Sequence, residues 1–181
     1  MSPYKQGELD CTCGIYSVIN SIKYLNDLNN NEGSVIIDEI IEHYGKRYNK
    51  ITKEGITYIP TELILRILKR GKKTKKLVAD IEILKPNFSL NSTETFDIIR
   101  ADLKKYKDKM IVFVGIVDYG IGAHWTLINK VDKNFAYFFD SGSMRRRVLK
   151  NIILTEKDEH DPTTRITYIK PCEIQYIIKN N

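Results

Sequence analysis

Gln6-Gly7-Glu8-Leu9-Asp10-Cys11-Thr12-Cys13-Gly14 runs directly into Ile15-Tyr16-Ser17-Val18-Ile19-Asn20-Ser21-Ile22. Apolar residues at Ile15, Val18, Ile19, Ile22 and Leu25 recur at helical spacing, which predicts a helix from Cys13 to about Leu28 with one buried face. Cys13 then stands in the first turn. The start of a helix carries partial positive charge, so a thiol placed there ionises more readily than a free one. The same segment supplies two further groups. The backbone N–H of Cys13 and the side-chain amide of Gln6 are both donors that could face a developing oxyanion.

Working outward, Asn29-Asn30-Asn31 breaks the helical pattern. Ser34 is a plausible N-cap for a second helix from Val35 to about Tyr44, buried through Ile37, Ile40 and Ile41, with Gly45 ending it. A third helix is expected from Pro60 or Thr61 through Leu68, stopped by Gly71. The pattern then changes. Leu77–Leu84 reads as a strand, and Ser92 or Thr93 through about Lys107 as a helix buried through Phe96, Ile99 and Leu103. Met110–Val117 is an apolar, β-branched run of strand length, as expected of a central strand. After the turn-rich link Asp118-Tyr119-Gly120-Ile121-Gly122, strands are predicted over His124–Val131 and Phe135–Asp140, joined by Asp132-Lys133-Asn134. Two more are expected, at Arg165–Ile169 and Ile174–Ile178. Helices first and strands later argue for an α+β fold, a helical layer against an antiparallel sheet.

The chain has 181 residues, enough for one domain spanning 1–181 with a core that needs no covalent staples. No apolar run reaches the length of a membrane span, and Met1-Ser2-Pro3-Tyr4-Lys5 lacks the apolar centre of a signal peptide. A cytoplasmic protein with its three cysteines reduced is the expectation. The formal charge is +6, which the lysine-rich surface accounts for without a nucleic-acid partner.

A thiol nucleophile needs a base, and the chain has three histidines. His43 falls late in an amphipathic helix, and His160 in the acidic stretch Glu156–Asp161. His124 follows a glycine-rich link and opens a strand. If the hairpin loop is Asp132–Asn134, Val131 pairs with Phe135. Strand alternation then sets His124 opposite Gly142, with Asp140 one diagonal step away on the same face, about 7–8 Å off and within side-chain reach. Asp140 could then hold the imidazole in one tautomer. Cys13 is favoured over Cys11 as the nucleophile because Cys13 begins the helical pattern and is followed by Gly14. Cys11 and Cys13 could also bind a metal with His124, but no fourth ligand has suitable spacing, so neither metal nor cofactor is expected. Cys172, between Pro171 and Glu173, reads as a small buried or partly buried hydrophobe.

The ordered set Gln6, Cys13-Gly14, His124-Trp125 and Asp140-Ser141 resembles the papain-like cysteine peptidases, most of all the branch that processes bacteriocin leaders at double-glycine sites. The interval from Gln6 to Cys13 is one residue longer than is usual in that family. The resemblance implies a papain-like fold, with the cysteine helix in an N-terminal helical half packed on a C-terminal antiparallel sheet carrying the histidine and aspartate. It implies Cys13 as nucleophile, His124 as general base and acid, Asp140 as orienter and Gln6 as oxyanion donor, acting on a peptide or isopeptide bond. A transglutaminase, deamidase or acyltransferase would use the same cysteine, histidine and aspartate. A non-catalytic binding module with a basic surface is the third alternative.

Two basic runs remain. Lys69-Arg70-Gly71-Lys72-Lys73-Thr74-Lys75-Lys76 reads as a solvated link between helix and strand. Arg145-Arg146-Arg147 follows the candidate aspartate closely enough to suggest an acidic substrate segment. Neither has the interleaved aromatics of a single-strand nucleic-acid groove.

Overall fold

A computed structural model describes residues 2–5, 13–45, 61–118, 122–142, 144–157 and 164–180. The helix opened by the cysteine, α1, spans Cys13–Asn26 and buries Ile15, Val18, Ile19, Ile22 and Leu25, the apolar stripe of the sequence. Helix α2 spans Asn30–Tyr44 and so begins ahead of Ser34. Asn29 is the cap: its Oδ1 accepts from Glu32 N at 3.1 Å, and Glu32 Oε2 accepts from Asn29 N at 2.9 Å. This reciprocal capping box satisfies two helix-end donors at once, and the hydroxyl of Ser34 instead donates to Asn30 O inside the helix. Gly45, at φ 49°, ends α2. Helix α3 spans Thr61–Arg70 and stops at Gly71. Helix α4 spans Ser92–Tyr106, capped by Asn91.

The strands are β1 (Ile81–Leu84), β2 (Met110–Asp118), β3 (Gly122–Val131), β4 (Phe135–Phe138), β5 (Arg146–Val148), β6 (Ile152–Leu154) and β7 (Thr167–Lys179). Their order is β1-β7-β2-β3-β4-β5, every neighbouring pair antiparallel, so β2 is the interior strand its apolar run predicts. β6 adds one parallel pair, with the start of β7. The strand expected from Leu77 begins only at Ile81, because residues 74–81 are drawn into turns by Leu77 N→Thr74 O and Ile81 N→Val78 O. The two strands expected near the C-terminus are one strand with a step. Val114 faces Ile174 while Ile116 faces Ile169, so the intervening residues of β7, Pro171 among them, bulge out of the ladder. Proline has no N–H to give a ladder and is accommodated there.

Both faces of the sheet are covered. Ile15, Ile19, Ile22, Ile36, Ile40, Ile64 and Leu68 of α1–α3 pack on Ile111, Phe113, Trp125 and Leu127. On the other face Phe96 and Ile99 of α4 join Val112, Val114, Ile116, Ile128, Ile152 and Ile174. The fold is α+β, with helices before sheet, but α4 lies across the sheet from the other three helices rather than in one helical layer. The sheet also curls. β5 leads through Leu149–Asn151 into β6, which returns to β7, so the strands wrap the second core. Among the described residues no helix is long and apolar enough to cross a membrane.

Candidate active site

Helix α1 is pinned to the start of β3 by its first turn. A Cβ at Gly14 would lie 3.3 Å from Trp125 Cδ1, so the missing side chain lets the helix end sit on the indole. One turn on, Ser17 Oγ donates to Trp125 O at 2.8 Å. Trp125 is itself stacked on Phe113, with ring centroids 5.0 Å apart. The result is that Cys13 Sγ sits 3.5 Å from Trp125 N, whose N–H donates to it. The ring of His124 is close enough to the thiol to lower its pKa by hydrogen bonding and charge.

His124 is brought to Asp140 by a register that the hairpin loop alone does not give. Val131 faces Ala136 rather than Phe135, one residue off the expected pairing. A bulge between Ile128 and Lys130 then restores the alignment, and Ile128 faces Phe138. From there the alternation expected of the sequence holds. Phe139 N still donates to Leu127 O at 2.9 Å, and Thr126 and His124 follow on the face that meets Asp140. His124 Nε2 lies 2.6 Å from Asp140 Oδ1, which leaves Nδ1 as the nitrogen for the thiol.

Asp140 is 1% exposed, so its charge must be met by fixed donors. Oδ1 also accepts from Thr126 Oγ1 at 2.7 Å, and Oδ2 accepts from the backbone N–H groups of Gly142 at 2.9 Å and Met144 at 3.2 Å. Lys5 Nζ donates to Gly142 O at 2.8 Å, tying the N-terminal segment to the same loop. That segment is anchored in turn by Asn20, whose amide accepts from Tyr4 N and donates to Tyr4 O.

The electrostatics follow from these contacts. Burial works against a charged imidazole at His124, but hydrogen bonds and charge from Asp140 and Cys13 outweigh it and push its pKa up to about 9. Burial likewise opposes a thiolate at Cys13, and the bonds from His124 and Trp125 N–H overcome it, holding the thiol below its ordinary range. Asp140, also penalised by burial, is held below the ordinary carboxylate range by His124, Thr126 and Met144 N–H. A lowered thiol beside a raised imidazole favours the thiolate–imidazolium form, a property of the pair rather than of either residue.

Cys13, His124 and Asp140 are thus brought together. Gln6, Cys11 and His160 lie outside the described residues. His43 is exposed in the last turn of α2, edge-on to Tyr44. Cys172, expected to be at least partly buried, is exposed on the bulge of β7. What burial it has, and then Glu156 and Glu173, push its thiol up rather than down. The basic run after the aspartate is divided. Arg145 and Arg146 are exposed, with Arg146 over the ring of Phe135, whereas Arg147 turns onto the buried Asp118. The run Lys69–Lys76 closes α3 in a turn anchored by the buried Thr74, whose hydroxyl donates to Leu68 O.

Thr126, Asp118 and Thr167 were not among the sequence candidates, and Arg147 was one only as part of a basic run facing an acidic substrate segment. Thr126 was within reach of sequence reasoning, since it is two residues from His124 and shares its face of β3. Arg147–Asp118 was not, because it joins strands distant along the sheet.

Comparison of the chain with protein-family models, with curated proteins and with solved structures found no match.

Proposed function

We propose that this chain is a cysteine peptidase with a papain-like architecture, cleaving a peptide or isopeptide bond through an acyl-enzyme on Cys13. The observation that carries the reading is the continuous line of contacts from the Cys13 thiol through the His124 ring to the buried Asp140 carboxylate. Each contact has the role that acyl transfer needs. The Cys13 thiolate attacks the carbonyl carbon, and electrons move onto the carbonyl oxygen. The Cys13 N–H at the helix start and the Gln6 amide are the donors proposed for that oxyanion. The His124 imidazolium gives its proton to the leaving amine, the C–N bond breaks and a thioester remains. Water, deprotonated by His124, then attacks the thioester and releases the acid and the Cys13 thiolate. Asp140 keeps Nε2 hydrogen-bonded throughout, so Nδ1 stays aimed at the thiol.

The substrate proposed is a peptide or protein segment, with an acidic stretch favoured by the exposed Arg145 and Arg146. A reducing, cytoplasmic setting suits the reaction, because an accessible low-pKa thiol is otherwise lost to oxidation. The test is labelling with a thiol-directed amide electrophile. Cys13 is expected to be labelled, and Cys13→Ala or His124→Ala to abolish the labelling. Labelling that survives His124→Ala would remove the base and with it the proposed mechanism.

A further inference from the structure

Arg147 and Asp118 form a forked, multiply bonded ion pair that the contacts of the reaction do not use. The Arg147 Nε lies 3.2 and 3.1 Å from the two carboxylate oxygens of Asp118, and its Nη2 also donates to Oδ2. Thr167 Oγ1 of β7 donates to the other oxygen, Oδ1. The Asp118 side chain is 4% exposed. Arg147 belongs to β5 and Asp118 to β2, strands separated in the sheet order by β3 and β4. The pair therefore bridges the curl of the sheet.

What it bridges are the two pieces that carry the site. Asp118 faces Gly122, so it ends the strand that holds the His124 end of β3. On its other side that end of β3 has run past β4, which stops at Phe138. Asp140 comes from the loop between β4 and β5, closed at its base by Phe138 N→Arg145 O at 2.9 Å. Arg147 follows that base by two positions.

We propose that Arg147 is a positioning residue for the Cys13–His124–Asp140 site: by gripping Asp118 it fixes the loop bearing Asp140 against the strand end bearing His124. The inference rests on the reading of Cys13 and His124 given above. The charged groups concerned are few. Arg147 faces Asp118 and also acts on Asp140 through its charge. Asp140 faces His124, and His124 faces Cys13, while Lys5 reaches the Asp140 loop at Gly142 O. Without the grip of Arg147 on Asp118 the loop bearing Asp140 is free to move away from His124. The proton on His124 then loses its partner, and the thiolate loses the imidazolium that stabilises it.

The experiment follows the His124 ring by NMR titration and the rate of Cys13 alkylation by iodoacetamide from pH 5 to pH 10, in Arg147→Gln, Arg147→Lys and Thr167→Val. Wild type is expected to titrate near pH 9. In Arg147→Gln the midpoint should fall by about one unit or more, and alkylation at pH 6 should slow by about tenfold. Arg147→Lys keeps the charge without the fork and should fall between. Thr167→Val should shift slightly in the same direction. A purely structural role would lower the melting temperature and leave both profiles of the folded protein unchanged, and that result overturns the proposal. Should Arg147→Gln not fold, wild-type profiles in both other variants overturn it equally. Failure of the underlying reading looks different: wild-type Cys13 alkylation would then be indifferent to His124→Ala.

Discussion

His124 Nε2 and Asp140 Oδ1 lie 2.6 Å apart across sixteen residues of chain, and the same oxygen accepts the hydroxyl of Thr126. The carboxylate is thus shared between the group it orients and a neutral donor on the same strand face. Which donor matters more for the imidazole can be separated by substitution.

Asp140→Asn keeps the shape and removes the charge. An amide NH2 facing Nε2 favours the tautomer with its proton on the nitrogen facing Cys13, so the ring can no longer serve as base there. We expect turnover to fall on the order of 10²- to 10⁴-fold. The His124 titration midpoint should also drop from about 9 toward its ordinary value. An NMR titration of the ring checks this, and an unmoved midpoint would mean that Asp140 is not what raises it.

Thr126→Val removes one of the donors to Asp140 and leaves the His124 contact in place. Thr126 is fully buried and its partner is a carboxylate, so the unmade hydrogen bond should cost about 1.5–3 kcal/mol of stability. Alkylation of Cys13 at neutral pH should stay within about threefold of wild type, because the His124–Asp140 contact is kept. Urea unfolding and an alkylation time course measure the two effects independently.

The pH profile of activity should be bell-shaped. The thiolate–imidazolium pair forms as pH rises through the lowered pKa of Cys13 and is lost as pH passes about 9, where His124 gives up its proton. Stability follows the same signs. The folded pKa of His124 is raised, so its contribution is complete below about 6.5 and disappears as pH climbs through about 9. The folded pKa of Asp140 is depressed, so its contribution holds above the ordinary carboxylate range and is lost as pH falls through the folded value. The stability difference between wild type and His124→Ala, measured by urea unfolding, should therefore shrink between pH 7 and pH 10. A constant difference over that range would contradict the raised pKa.

Gly115→Ala probes the support beneath the site. A Cβ there would lie 2.2 Å from Glu173 Oε2 and 2.9 Å from Trp125 Cζ3. The carboxylate ends a flexible side chain and can move, but the indole is held between Phe113 and Gly14. We expect a loss of about 1–3 kcal/mol from overpacking. Cys13 alkylation should slow as Trp125 N shifts from the sulfur. Melting temperature and alkylation rate, measured together, test the link between them.

Much of the architecture was legible because it depends on period and punctuation. The Ile15–Leu25 stripe, Gly45, Gly71 and the β-branched run of β2 each act within a few residues. The start of α2 was misplaced because Asn29 and Glu32 form a capping box with an asparagine ahead of the better-known Ser signal. β5 and β6 are three residues each, too short to show alternation. β7 was expected as two strands, Arg165–Ile169 and Ile174–Ile178, but the ladder bulges around the residues between them and stays one strand.

By itself the sequence determined that an ionisable thiol opens a helix and that a histidine lies near the start of a strand, because those are facts of order and local periodicity. The aspartate, expected to end the next strand, lies two residues past it, in the loop after Phe138. Only the tertiary structure decided that the three meet. The meeting requires a bulge between Ile128 and Lys130 to correct a one-residue offset at the turn. It also requires Gly14 and Ser17 to seat α1 on Trp125. A sheet curled enough for Arg147 to reach Asp118 completes the arrangement. A strand offset by one residue turns every side chain to the opposite face, so the contact between His124 and Asp140 rests on packing that no local pattern encodes.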